Sequence, residues 1–166
     1  GRFVYDKGFD VLIHACKGFP KNWGVYLVGG EATEEYKNLV EANDMTNVHF
    51  VGFKSKKELT EYYMAADLFV LPTRYDVWGL VINEAMSFGL PIITTDMCIA
   101  GMELVVDGFN GFIVPVGNVE ELRDRMVYVL SDDSISSKMG ESSLRVASKY
   151  TIQNMVLDHI RVFKEI

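Results

Sequence analysis

Residues 72–91, Pro-Thr-Arg-Tyr-Asp-Val-Trp-Gly-Leu-Val-Ile-Asn-Glu-Ala-Met-Ser-Phe-Gly-Leu-Pro, carry the chain out of an apolar run, through a turn and into a helix. The run Leu68-Phe69-Val70-Leu71 stops at Pro72, and the helical pattern begins near Gly79-Leu80 and ends at Gly89-Leu90-Pro91, where glycine and proline cannot continue it. The stretch reads strand, turn, helix. At a helix start the first amides lack intrahelical acceptors and the dipole is positive, so the amides of Gly79, Leu80 and Val81 form a seat for phosphate. Glu84 follows Leu80 by four residues, on the same helical face and roughly 6 Å along the axis, placed to accept both hydroxyls of a ribose whose phosphate rests on the helix end. Asp76, just ahead of the helix, is placed to reach a sugar on the other side of that phosphate. The acidic pair points to a nucleotide sugar.

Outward from this unit, short apolar runs rich in branched and aromatic residues recur at Val25–Val28, Val48–Val51, Leu68–Leu71, Ile92–Thr94 and Phe112–Val114. They are too continuous for strands with one wet face and read as buried parallel strands. Helical stretches fall between and after them near 8–18, 32–43, 56–66, 80–88, 119–130, 134–148 and 152–165. Ser55-Lys56-Lys57-Glu58 reads as a capping box, Asn118 as a cap with Glu121 three residues on, and Gly101-Met102-Glu103 as the start of a short helix with Glu103 favoured by the dipole. This alternation predicts an α/β fold, a Rossmann-like doubly wound parallel sheet.

A chain of 166 residues with 49% hydrophobic content has the size and core of one domain, and without repeats or low-complexity linkers residues 1–166 read as a single unit. A net charge of −7 argues against a nucleic-acid partner, which demands clustered cations. Cys16 and Cys98 lie apart in apolar contexts, suggesting neither a disulfide framework nor a zinc site and fitting a reducing cytoplasm. No apolar run reaches the roughly 20 residues that span a bilayer.

The pair Asp76 and Glu84 resembles the acidic pair of the retaining GT-B glycosyltransferases, in particular the large family 4 that builds polysaccharides, lipopolysaccharides and glycolipids. Gly1-Arg2-Phe3-Val4-Tyr5-Asp6-Lys7-Gly8 is similar to that family's Gly-Arg-x4-Lys-Gly segment, whose two cations hold the donor diphosphate. Val28-Gly29-Gly30, Val51-Gly52-Phe53, Ala65 to Pro72 and Asp107 to Pro115 look like its later landmarks, in order. The family usually has glutamate where this chain has Asp76, which keeps the charge and shortens the reach by one methylene. The resemblance implies the C-terminal, donor-binding half of a two-domain enzyme, with the acceptor half and almost all of the strand leading into Gly1 outside this sequence. It implies metal-independent transfer from a nucleoside-diphosphate sugar to a glycan or glycolipid, no cofactor, and peripheral membrane contact only through the missing half.

Arg2 and Lys7 are the candidate stabilisers of the leaving diphosphate and, with Asp76, form the catalytic set. Any surface turn carries such cations, and aspartate is common in turns, so both have a bland reading. The donor-binding set is Gly52, Phe53, Lys54, Trp78, Gly79, Leu80, Val81 and Glu84. The resemblance has the Gly52-Phe53 loop meet the base through backbone groups; Lys54 reads equally as part of a solvated cluster with Lys56 and Lys57, and Trp78 as a sugar platform or as turn packing. Gly29-Gly30 falls short of a dinucleotide fingerprint, His14, His49 and His159 have no partner pattern, and Asp132-Asp133 is not the Asp-x-Asp of metal-dependent transferases. A sugar-nucleotide epimerase or phosphorylase on the same architecture, and a non-catalytic nucleotide-binding module, stand as the rival readings.

Overall fold

A computed structural model describes residues 1–164 of the chain. Five short strands form: β1 (Val25–Val28), β2 (Val48–Val51), β3 (Phe69–Leu71), β4 (Ile92–Thr95) and β5 (Gly111–Val114). Among the described residues eight α-helices run before, between and after them: α1 (Phe9–Ala15), α2 (Glu34–Glu41), α3 (Lys56–Ala65), α4 (Leu80–Ser87), α5 (Ile99–Leu104), α6 (Val119–Leu130), α7 (Asp133–Ala147) and α8 (Ile152–Lys164). Every strand pairing is parallel, as expected when helices return the chain to the same end of the sheet. The α/β alternation is the one the sequence predicts.

Neighbouring residues on β4 show how the layers are built. Ile93 belongs to a cluster with Leu12 and Ile13 of α1 and Leu122 and Met126 of α6, whereas Ile92 joins Ile82 and Met86 of α4 and Ala100 and Leu104 of α5. Successive strand side chains point to opposite faces, so helices cover the sheet on both sides. Only β4 is buried along its whole length; β1 and β3 are partly exposed, contrary to the expectation of buried strands throughout. The cause is an interrupted ladder: hydrogen bonding divides the strands into a pair, β1-β2, and a triplet, β3-β4-β5.

The first eight residues span the break. The Gly1 amino group donates to Val28 O at the end of β1 (2.8 Å), and Asp6 O accepts the Arg74 amide just past β3 (2.7 Å). Gly29 and Gly8 are required by this crossing, because a Cβ on Gly29 would lie 1.7 Å from Gly1 O and one on Gly8 2.0 Å from Pro72 O. The segment ends in a single 3-10 turn, Tyr5–Lys7, and α1 follows as a shorter helix than the 8–18 predicted.

Helix ends mostly follow their sequence signals. Ser55 and Glu58 complete both halves of the capping box on α3, and Asn118 accepts the Glu121 amide on α6. Asp132 caps α7 through the Ser134 amide. The expectation for Glu103 is overturned: α5 begins at Ile99, so Glu103 sits in its last turn, where the dipole disfavours an acid. The start is fixed upstream because the Ile99 and Ala100 amides donate to Asp76 O and Trp78 O. Residue 165 of the predicted last helix lies outside the described residues. Among the described residues no helix is long and apolar enough to cross a membrane.

Candidate functional site

The predicted site residues lie just past the carboxyl ends of β2 and β3, in the segment that crosses the strands, or on α4, toward the end where open α/β sheets place ligands. The turn Asp76–Gly79 is bound along its length to the start of α5. The Asp76 amide donates to Met97 O (3.1 Å), and the Ala100 amide donates to Trp78 O (2.8 Å). Asp76 Oδ1 also accepts the Trp78 amide (3.3 Å), which tightens the turn around its own carboxylate. Gly79 then takes φ +88°, a left-handed conformation suited to glycine, with Cys98 Sγ 2.9 Å from where a Cβ would stand.

This choice of residue leaves the helix end open. α2, α3, α6 and α7 each have a side chain that accepts an amide of the first turn, but α4 has none. No acidic residue occupies its first turn, and the amides of Gly79, Leu80 and Val81 have no acceptor among the described residues. Three unpaired donors at the positive end of a helix are competent to bind an anion. These are the amides that the sequence reading singles out, and in the structure they stand free at the start of α4.

Lys7 reaches this turn from the crossing segment. Its Nζ lies 2.5 Å from Asp76 Oδ2, with both side chains about a quarter exposed or less (27% and 17%). Sequence placed the two in separate roles, one holding diphosphate and the other the sugar; the structure brings them into one ion pair. The loop that carries Lys7 is held by Arg74, which donates to Tyr5 O (2.8 Å), makes two parallel bonds to Asp10 (2.9 and 2.6 Å) and lies 3.9 Å over the Tyr5 ring. The Arg74 guanidinium holds the Asp10 carboxyl below the usual carboxylate range, chiefly through these bonds. Neither residue stood out in the sequence. Arg2 is exposed, and no ion-pair partner for it is found among the described residues.

Glu84 lies on α4 about one turn beyond Leu80. Tyr63 of α3 donates to its Oε2 (3.1 Å). Trp78 is partly exposed, and its indole Nε1 donates to Asn83 Oδ1 (3.2 Å), so the ring is tied back to the helix it precedes. Leu80 is largely exposed. Behind the turn, Cys98 is fully buried, and burial pushes its thiol up, so it serves as a wall and not as a nucleophile.

The Gly52-Phe53-Lys54 loop lies at the end of β2. Phe53 is 85% exposed, an unusual position for a phenyl ring without a ligand or partner, and the space around Gly52 is open. Lys54 pairs with Glu58 (3.5 Å) at the start of α3. Among the described residues no group of three or more His, Cys, Asp or Glu side chains is arranged to hold a metal ion.

The sequence profile of the family described as glycosyl transferases group 1 matches residues 1–145. An uncharacterised glycosyltransferase of Methanocaldococcus jannaschii is 28% identical over 167 residues, a span that takes in 100% of this chain and 47% of the relative. The crystal structure of the C-terminal domain of LpcC, a glycosyl transferase group 1 family protein of Francisella tularensis, has a TM-score of 0.82 at 26% identity, over 92% of this chain and 84% of that one. Anabaena HepE, crystallised with UDP and glucose, superposes with a TM-score of 0.88 at 23% identity, over 100% of this chain and 47% of HepE. The chain thus spans about half the length of these longer proteins.

Proposed function

This chain belongs to the glycosyl transferases of group 1, and from that premise we propose that it is the donor-binding, C-terminal half of a retaining, family 4 GT-B glycosyltransferase. The observation that carries the proposal is the uncapped start of α4, preceded in the chain by Asp76 with its Lys7 partner and followed about one turn on by Glu84. In a nucleoside diphosphate sugar the sugar, diphosphate and ribose follow one another in matching order, with the base beyond the ribose. The UDP and glucose held by HepE support this donor class.

In this reading the diphosphate rests on the amides of Gly79, Leu80 and Val81. Arg2 and Lys7 meet the charge that grows on it as the glycosidic bond breaks. An ammonium has three donors, so Lys7 is able to keep Asp76 while donating to a phosphate oxygen. Asp76 faces the sugar hydroxyls, and Glu84 faces the ribose. The base lies toward Gly52 and Phe53. The acceptor hydroxyl attacks on the face from which the diphosphate departs, and the diphosphate takes the acceptor's proton. No side chain of this domain acts as nucleophile; its contribution is positioning and charge stabilisation, without a metal. The acceptor, a glycan or glycolipid, is brought by the remainder of the protein, which also supplies any peripheral contact with a membrane. A reducing cytoplasm is the setting in which nucleotide sugar and free thiols coexist.

The test is a thermal-shift panel of UDP, GDP, ADP and their sugars on the intact protein. A nucleotide at about 100 times its dissociation constant stabilises by roughly 2.7 kcal/mol. Lys7→Ala and Glu84→Gln are each expected to shrink that stabilisation. Absence of a shift with every nucleotide, or a shift that neither substitution alters, overturns the proposal. Retention is read separately from the anomeric configuration of the product.

A further inference from the structure

Glu84 does not stand alone on α4. Tyr63, in the last turn of α3, donates its hydroxyl to Glu84 Oε2 (3.1 Å) across 21 residues of sequence. The ring is itself fixed. It stacks on Phe88 with centroids 5.3 Å apart and planes 14° apart, and packs tilted against Phe69 of β3 at 6.0 Å. Three elements thus hold the ring: α3 carries it, the C-cap residue of α4 stacks on it, and β3 packs against it. The other carboxylate oxygen, Oε1, has no partner among the described residues and is open to solvent.

A glutamate side chain has three rotatable bonds, and holding two vicinal hydroxyls at once requires both of its oxygens in one plane and one orientation. An unanchored carboxylate on a helix surface loses that freedom on binding, at a cost to affinity. One oxygen fixed by a rigid aromatic hydroxyl removes part of the loss and still leaves lone pairs on both oxygens for the ligand.

We propose that Tyr63 is a positioning residue of the donor site, orienting the Glu84 carboxylate so that it selects a ribose over a sugar lacking the 2′ and 3′ hydroxyls. The proposal rests on the assignment of Glu84 to the ribose made above. Its effect is confined to hydroxyl recognition. Tyr63→Phe keeps the ring, its stacking on Phe88 and its contact with Phe69, and removes only the hydroxyl. Burial, followed by the nearby Glu84 carboxylate, pushes the phenol upward, so the hydroxyl remains a donor across the working pH range.

The experiment measures dissociation constants of UDP, GDP and ADP, each beside its 2′,3′-dideoxy counterpart, by calorimetry on the intact protein, for the wild type, Tyr63→Phe, Glu84→Gln and the double variant. The wild type is expected to prefer the ribonucleotide, and Tyr63→Phe to reduce that preference by roughly three- to tenfold, the size of one modest hydrogen bond, with little change in dideoxy binding. The double variant should lose no more preference than Glu84→Gln alone. If Glu84→Gln erodes the preference and Tyr63→Phe does not, or if Tyr63→Phe weakens both nucleotides alike, the positioning role is overturned while the ribose site stands. If Glu84→Gln leaves the preference intact, the ribose assignment falls and the role of Tyr63 falls with it.

Discussion

Lys7 Nζ and Asp76 Oδ2 lie 2.5 Å apart although 69 residues separate them, one on the segment that crosses between the sheets and the other in the turn that opens α4. The pair ties the first turn of the chain to the turn that leads into α4. Each residue neutralises the other in a position only partly open to water, so removing one leaves an uncompensated charge on its partner.

Lys7→Met in the intact enzyme is therefore expected to act twice. Turnover should fall by about 10²–10³, the loss seen when one preorganised donor to a developing anion is removed, with a smaller effect on donor affinity. Stability should fall as well, because Asp76 loses its partner. Adding Asp76→Asn should recover stability without recovering turnover. Equal losses in dissociation constant and turnover would instead make Lys7 a ground-state anchor.

Gly79→Ala tests the seat itself. The residue sits at φ +88°, and its Cβ would lie 2.9 Å from buried Cys98 Sγ. A left-handed conformation costs a residue with a side chain about 1–2 kcal/mol, and the crowding adds to it. Denaturant melts should show at least that loss. Nucleotide affinity should drop in parallel as the first amides of α4 rotate. An unchanged affinity at reduced stability would separate the glycine from the anion seat.

Local signals made most of this legible in the sequence. Branched apolar runs located the strands because burial in a parallel sheet selects such residues, and Ser55 and Asn118 marked helix starts because their side chains accept first-turn amides. The acidic pair and the helix start between them were readable because all three lie within one turn-helix unit. What escaped was carried by distance. Arg74 grips Asp10, and Tyr63 grips Glu84, across 64 and 21 residues. No spacing rule connects them. Glu103 was misplaced for a related reason, since the start of α5 is set by carbonyls of the Asp76–Trp78 turn and not by a local cap.

Acid stability should depend on the Arg74–Asp10 pair. The folded carboxyl of Asp10 titrates below its unfolded value near 3.9, so its contribution is complete above that pH and is lost as pH falls through the lower folded value. Both side chains are partly exposed, which limits the contribution to about 1 kcal/mol. Urea melts of Arg74→Met should show that deficit at pH 7 and a smaller decline between pH 4 and 2.5 than the parent shows. Parallel curves would remove the pair from the acid response.

The interrupted ladder yields the last expectation. The Val25 amide donates to Asn47 O just ahead of β2 and the Gly29 amide to Val51 O, so by alternation Tyr26 and Val28 turn their backbone groups to the opposite edge; Phe69 donates to Pro91 O just ahead of β4, so Val70 turns away from it. Gly1 already pairs with Val28 on that open edge of β1, and Asp6 meets the chain just past β3. A parallel strand running into Gly1 would satisfy both edges together. It would also hold Arg2, now exposed and without an ion-pair partner among the described residues, beside the phosphate seat. Open edges exchange amide hydrogens quickly and invite pairing with other chains. A protein with five or six strand-forming residues ahead of Gly1, about one strand length, should therefore protect the amides of Tyr26, Val28 and Val70 and bind nucleotide more tightly than the 166-residue chain. Hydrogen exchange and nucleotide titration on the two proteins provide the comparison. Equal protection and equal affinity would mean that the two edges are closed by other means and that Arg2 needs no strand behind it.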